Sequence, residues 1–124
     1  MLVVTIIITL FILGLSFFSV YILDNTAAVL IDLLGGVEAA ILNEDWNNAE
    51  QRLAVLEKRW EKTHFLWSML IEHNEIDNID ISIAHIKSYV KFKASNDAFA
   101  EVSALYKIFE HIPAMEKFRI QNIF

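Results

Sequence analysis

The chain has no cysteine, one proline and three glycines in 124 residues. Without cysteine, disulfides, thiolate metal sites and cysteine nucleophiles are excluded, and either side of a membrane is permitted. With so few breakers, long helices are favoured over an all-β domain. Charge is missing in one place only. No charged side chain precedes Asp24, and the first basic residue is Arg52. All 16 acids and 10 basic residues therefore follow the N-terminal segment, and the net charge of -6 belongs to the remainder. An acidic remainder argues against nucleic acid or anionic lipid headgroups as its main partner.

What fills the uncharged segment is an unbroken apolar run, Leu2 to Leu23. Roughly 20 such residues, rising about 1.5 Å each, cross the ~30 Å hydrocarbon core of a bilayer as a helix. A cleaved secretory signal would need a basic start, a shorter apolar core and a small-residue cleavage site. Neither a basic start nor an A-x-A-like step is present, and Phe17 to Leu23 remain bulky. The run is expected to be an uncleaved, single-pass signal anchor. The positive-inside rule is nearly silent because no Lys or Arg lies close to the run. A short N-terminus before a first segment usually stays in the cytoplasm, so the bulk of the chain is expected outside it. Thr5, Thr9 and Ser16 share one face of the anchor, with Gly14 nearby. Such small and hydroxyl residues allow close packing against a second membrane helix.

After the polar flank Asp24-Asn25-Thr26, Ala27, Leu30, Leu34, Val37 and Ile41 fall on one helix face. The anchor helix can run straight into this one. Gly35-Gly36 predicts a kink or a close approach by another helix. Asn43-Glu44-Asp45 supplies a turn and a cap. The longest helix then covers about Asp45 to His73. Its seam is Ala49, Leu53, Leu56, Trp60, Thr63, Trp67 and Leu70, with Trp46 just upstream. A third helix, from about Glu75 to Lys93, has Asn74 as its expected N-cap and Ile76, Ile79, Ile83, Ile86 and Val90 as its seam. Ser95-Asn96-Asp97 is read as the cap of a fourth helix, with seam Ala98, Val102, Leu105, Phe109 and Ile112. Pro113 is expected to stop it, leaving a short helix in the tail from Ala114 to Phe124. Four helices with short turns argue a small antiparallel bundle, most simply one long helix with two shorter ones folded back on it.

Chemistry-bearing patterns are sparse. The densest polar patch is Glu72-His73-Asn74-Glu75 with Asp77 and Asp80. It offers oxygen and imidazole ligands for a divalent cation, but caps and first-turn acids account for the same residues. Glu61-x-x-His64 matches half of a di-iron pattern, yet Ser82 and Ile108 precede His85 and His111 where a second Glu would be required. Ser, His and Asp show no triad spacing, and a bundle has no strained elbow for a nucleophile. The Trp seam could line a ligand groove, although a core needs it equally.

The stretch from Asp45-Trp46 through Trp60, Trp67 and Ile71 to Ile79, ending in His111-Ile112-Pro113 and Asn122-Ile123-Phe124, resembles the bacterial family named domain of unknown function 4363. The resemblance covers essentially the whole chain. It implies a bacterial cell-membrane protein with an N-terminal membrane segment and a helical remainder. It also suggests a membrane partner, because the family is encoded beside a multi-pass membrane protein family. It carries no activity and no catalytic residue.

The expected architecture is all-α: a transmembrane anchor over 1–23, a juxtamembrane helix over 24–44 and a helical bundle over 45–124. The expected role is a non-enzymatic, membrane-anchored interaction or accessory protein, with no catalytic, cofactor-binding or metal-binding residue. The alternative is an extracytoplasmic ligand-sensing module acting through a membrane partner. Expected partners are the lipid bilayer and either a membrane protein or a second copy of the chain, not nucleic acid.

Overall fold

The computed structural model describes residues 1–123, the side chain of Ile123 excepted. Phe124, at the end of the tail and of the resemblance, lies outside the described residues. The described chain is all-α: α1 (Leu2–Leu42), α2 (Trp46–Leu70), α3 (His73–Lys91) and α4 (Ser95–Ile123).

One uninterrupted 41-residue helix, α1, contains both the apolar run and the segment beyond it. Its hydroxyl residues do not interrupt it, because Thr5, Thr9, Ser16 and Ser19 each donate to the carbonyl four residues back. The helix changes character sharply at Leu23. Before it, the large apolar side chains stand in the open, among them Ile7, Phe11, Phe17 and Phe18. From it onward, Leu23, Ala27, Leu30, Leu34, Val37, Ala40 and Ile41 are buried at 2 % exposure or less. Residues 24–42, most of the juxtamembrane segment 24–44, are thus continuous with the apolar run and form one wall of the bundle.

Four helices form a ring. α1 packs on α2 and α4, and α3 packs on the same two. The seams read from the periodicity face the centre: Ala49, Leu53, Leu56, Trp60, Thr63 and Trp67 of α2, Ile76, Ile79, Ile83, Ile86 and Val90 of α3, and Ala98, Val102, Leu105, Phe109 and Ile112 of α4 are buried, and Leu70 at the end of α2 is half-buried. The arrangement of one long helix and two folded back is corrected to an up-down-up-down four-helix bundle. The reason is that the apolar stripe of residues 23–41 would otherwise lie bare in water.

The α1–α2 and α3–α4 turns are built alike. Glu44 (φ 53°) and Lys93 (φ 56°) adopt left-handed backbone after the last helical turn. Asp45 N–H then reaches back to the Ala40 carbonyl at 2.9 Å, and Ala94 N–H to that of Tyr89 at 2.8 Å. These bonds satisfy helix-end carbonyls, which offsets a left-handed cost of about 1 kcal/mol at a non-glycine residue. Asp45 also caps α2 through its side chain, accepting from Asn48 N–H at 3.3 Å.

Three local expectations are corrected. Asn74 is not the N-cap of α3: Glu72 holds that position without a side-chain bond, and His73 already belongs to the helix. Ser95 is inside α4, since the Ala94 carbonyl accepts the first helical bond from Ala98 N–H. Pro113 does not stop α4, which continues through it to Ile123. A proline within a helix removes one backbone bond and costs roughly 3 kcal/mol. Here the ring is buried, and the continuation is tied down by Lys117 to Asp24 at 2.6 Å and Arg119 to Glu72 at 3.4 Å.

Gly35 and Gly36 mark close approaches, since α1 continues through both. A Cβ on Gly35 would lie 3.1 Å from the Tyr106 hydroxyl, and one on Gly36 2.8 Å from an Arg52 guanidinium nitrogen.

Candidate functional site

The polar groups inside the bundle are organised around two indoles. Trp60 and Trp67 stand two helical turns apart on α2, with ring centroids 5.6 Å apart and planes nearly perpendicular. Phe109 of α4 completes the cluster, 6.2 Å from Trp67 and 6.4 Å from Trp60. A buried indole N–H needs an acceptor. Trp60 donates to Asp80 Oδ1 of α3 at 2.7 Å, and His64 Nε2 lies 3.2 Å from the other oxygen of the same carboxylate. Trp67 donates to Thr26 Oγ1 of α1 at 2.6 Å, and Thr26 in turn donates to the Ile22 carbonyl at 2.7 Å.

The acidic patch read from the sequence is therefore split. Asp80, its side chain 45 % exposed, reaches across to α2 at the bundle's edge and joins Trp60 with His64. Asp77 stays at the surface with His73 at 3.5 Å, both more than half exposed. Glu72 points to Arg119. The lone Glu61-x-x-His64 pattern resolves the same way, with His64 engaged by Asp80 and stacked edge-on to Trp60 at 5.4 Å. His85 sits 3.5 Å from Glu101, and His111 is exposed. Among the described residues, no group of three or more His, Cys, Asp or Glu side chains could hold a metal ion. The Trp seam is core rather than groove wall, with Trp60 at 4 % and Trp67 at 0 % exposure.

The surface depressions are shallow. One is lined by Glu75, Lys107, Ile108, Glu110 and His111 and opens broadly to solvent. At the α1–α4 contact, burial pushes the Tyr106 phenol above its ordinary value, helped by the carboxylates of Glu38, Asp32 and Glu110. Ser82 Oγ is buried with no hydrogen-bond partner among the described residues. None of these groups converges with a second reactive one.

Sequence reasoning missed the roles of Thr26 and Asp80, having placed the first in a polar flank and the second among helix-leading acids. A signal was present: two tryptophans in a seam demand acceptors from neighbouring helices. What periodicity does not convey is the axial level at which those helices meet.

The strongest local feature is therefore the boundary on α1, where a helix long and apolar enough to cross a membrane enters the bundle. No curated protein and no solved structure matches the chain significantly. A family model does match, over residues 17–123, which begins inside the apolar run and takes in all four helices of the bundle. On that match, the chain belongs to the family described as Domain of unknown function (DUF4363).

Proposed function

We propose that this chain is a non-catalytic accessory or interaction subunit of a bacterial cell membrane, anchored by residues 2–22 and presenting its bundle outside the cytoplasm. The observation that carries the reading is the change in α1 at Leu23. One rigid helix is buried in a protein core on one side of that residue and bare and apolar on the other. An exposed apolar surface of this extent marks contact with lipid or with another protein. A binding role is favoured over a chemical one, because the polar groups that meet the core, Asp80 and Thr26, are used to satisfy the two indoles.

Two measurements on the full chain test the reading. Protease added to intact protoplasts should digest the region after Asp24. Protection until lysis would reverse the orientation, and recovery of the chain in the detergent-free soluble fraction would remove the anchor. Detergent pull-down of a tagged chain should recover a stoichiometric membrane partner or a second copy. The face formed by Thr5, Thr9 and Ser16 is the proposed contact, since small side chains let helices approach closely. Replacing residues 2–20 with a plain Leu/Ala helix should preserve insertion and abolish that recovery. Undiminished recovery would move recognition to the bundle, and a monomer without partners would sink the accessory role.

A further inference from the structure

The continuity of α1 fixes how deep the bundle sits relative to the apolar segment. With no break between residues 2 and 42, each bundle residue can be levelled against the anchor. Trp67 is level with Thr26 through their 2.6 Å hydrogen bond. Lys117 is level with Asp24 through a 2.6 Å ion pair, and Pro113 and Ala27 line the same α1–α4 groove. Descending from these ties at about 1.5 Å per residue, α2 ends beside residues 23–24. The last six described residues of α4, from Phe118 to Ile123, pass Asp24 by about 9 Å and run beside residues 18–23 of the apolar helix.

This end of the bundle is also where large apolar side chains stand outward. Met69 near the end of α2 is 62 % exposed and Phe118 of α4 is 57 % exposed. Tyr21 of α1 is open close to this level, and Phe17 and Phe18 are open further along the apolar run, roughly 8–10 Å deeper. Beside them, Lys117 and Arg119 pair with Asp24, Glu72 and Glu116, so the nearest acids are covered by cations. Aromatic rings flanked by long basic side chains are the composition of a membrane–water boundary. There the rings enter the headgroup layer, and the cationic heads reach back to water. That layer extends roughly 5–8 Å beyond the hydrocarbon on each side, and Met69 and Phe118, level with residues 23–24 at the end of the apolar run, fall within it.

We infer that the anchor-proximal end of the bundle is a lipid-contacting collar, in which Met69 and the α4 extension carrying Phe118 sit in the headgroup layer of the bilayer that α1 crosses. The inference rests on the anchor reading. It adds a second, monotopic contact that holds the bundle against the membrane rather than on a free stalk. It also explains why α4 continues past Pro113: the extension lies along the apolar helix at the depth where lipid begins.

The chain has no native cysteine, so single labels can be placed cleanly. Spin labels would be attached to Ile12→Cys, Met69→Cys, Phe118→Cys and Phe92→Cys in the full chain. Phe92 is 75 % exposed at the far end of the bundle and serves as the aqueous reference. The labelled proteins would be placed in nanodiscs of phosphatidylcholine with a minor share of phosphatidylglycerol. Collision rates with oxygen, which concentrates in lipid, and with a water-soluble nickel complex would be compared. All four sites are exposed, and an unchanged helical circular dichroism spectrum would verify folding. The expected result is an oxygen-to-nickel ratio severalfold higher at Met69 and Phe118 than at Phe92, with Ile12 higher still. A lipid-like ratio at Ile12 with Met69 and Phe118 equal to Phe92 would overturn the collar and leave the anchor standing. Shielding of Met69 and Phe118 from both reagents would show a protein covering this end and overturn the lipid assignment. An aqueous ratio at Ile12 would overturn anchor and collar together.

Discussion

Trp67 and Thr26, 41 residues apart in sequence, are joined by a 2.6 Å hydrogen bond that ties the end of α2 to α1 just above the apolar segment. The Thr26 hydroxyl accepts from the indole and donates its own O–H to the Ile22 carbonyl. One side chain thus serves the core and the helix at the point where the core ends. Together with the Lys117–Asp24 pair, it ties the start of the bundle to the end of the apolar segment.

Thr26→Val keeps the shape and removes the acceptor, leaving a fully buried indole N–H unpaired. The expected loss is about 1–3 kcal/mol, the usual cost of a buried donor without a partner. Thr26→Ser should lose less than about half of that, since the hydroxyl is retained. Denaturant unfolding followed by tryptophan fluorescence measures both, and an unchanged stability for Thr26→Val would show that the hydrogen bond contributes nothing.

Trp60→Ala should cost about 3–5 kcal/mol, as for other aromatic truncations in a core. Part of that loss should be shared with Asp80, which accepts from the indole. In a double-mutant cycle with Trp60→Phe and Asp80→Ala, the pair should show a coupling of about 1 kcal/mol. Strict additivity would mean that the 2.7 Å bond contributes nothing to stability.

Pro113→Ala restores the backbone N–H in a helix that already runs straight through this position. The gain from helix propensity, about 3 kcal/mol, exceeds the loss of roughly 1 kcal/mol from trimming a buried ring. A net stabilisation of about 1–2 kcal/mol is expected in thermal or denaturant melts. Destabilisation would mean that the proline ring itself holds α4 against α1.

Tyr106 gives the bundle an alkaline limit. Burial and the neighbouring Glu38, Asp32 and Glu110 raise its phenol above the ordinary value of 10.0. The folded chain therefore holds this proton more tightly than the unfolded one. Its contribution is fully present below about pH 10 and is lost as pH rises through the folded value. Denaturation midpoints compared between about pH 9 and pH 11 should fall more steeply for the native chain than for Tyr106→Phe. Parallel curves would remove Tyr106 from the explanation of alkaline unfolding.

The sequence by itself determined the helices and the sides they bury. Seam positions such as Leu56, Ile79, Leu105 and Phe109 recur at spacings of three and four. Such spacing places them on one face of a helix wherever that helix lies. The apolar run to Leu23 was equally legible, because length and missing charge are local properties. Glu44 and Lys93 show the limit of local reading. Each takes a left-handed backbone that glycine would announce, and the sequence offers no glycine there.

Only the tertiary structure decided what depends on distant segments meeting at one level. Residues 23–41 became core because α2 and α4 cover them, whereas the chemically similar residues 2–17 lie beyond the described ends of those helices. Thr26 and Asp80 acquired their roles because Trp67 and Trp60 arrive opposite them. Pro113 stayed helical because the chain beyond it finds Asp24 and Glu72 to hold. A helix period specifies which face turns inward but not the axial register between helices. That register is settled by the summed packing, hydrogen bonds and ion pairs of residues far apart in the chain.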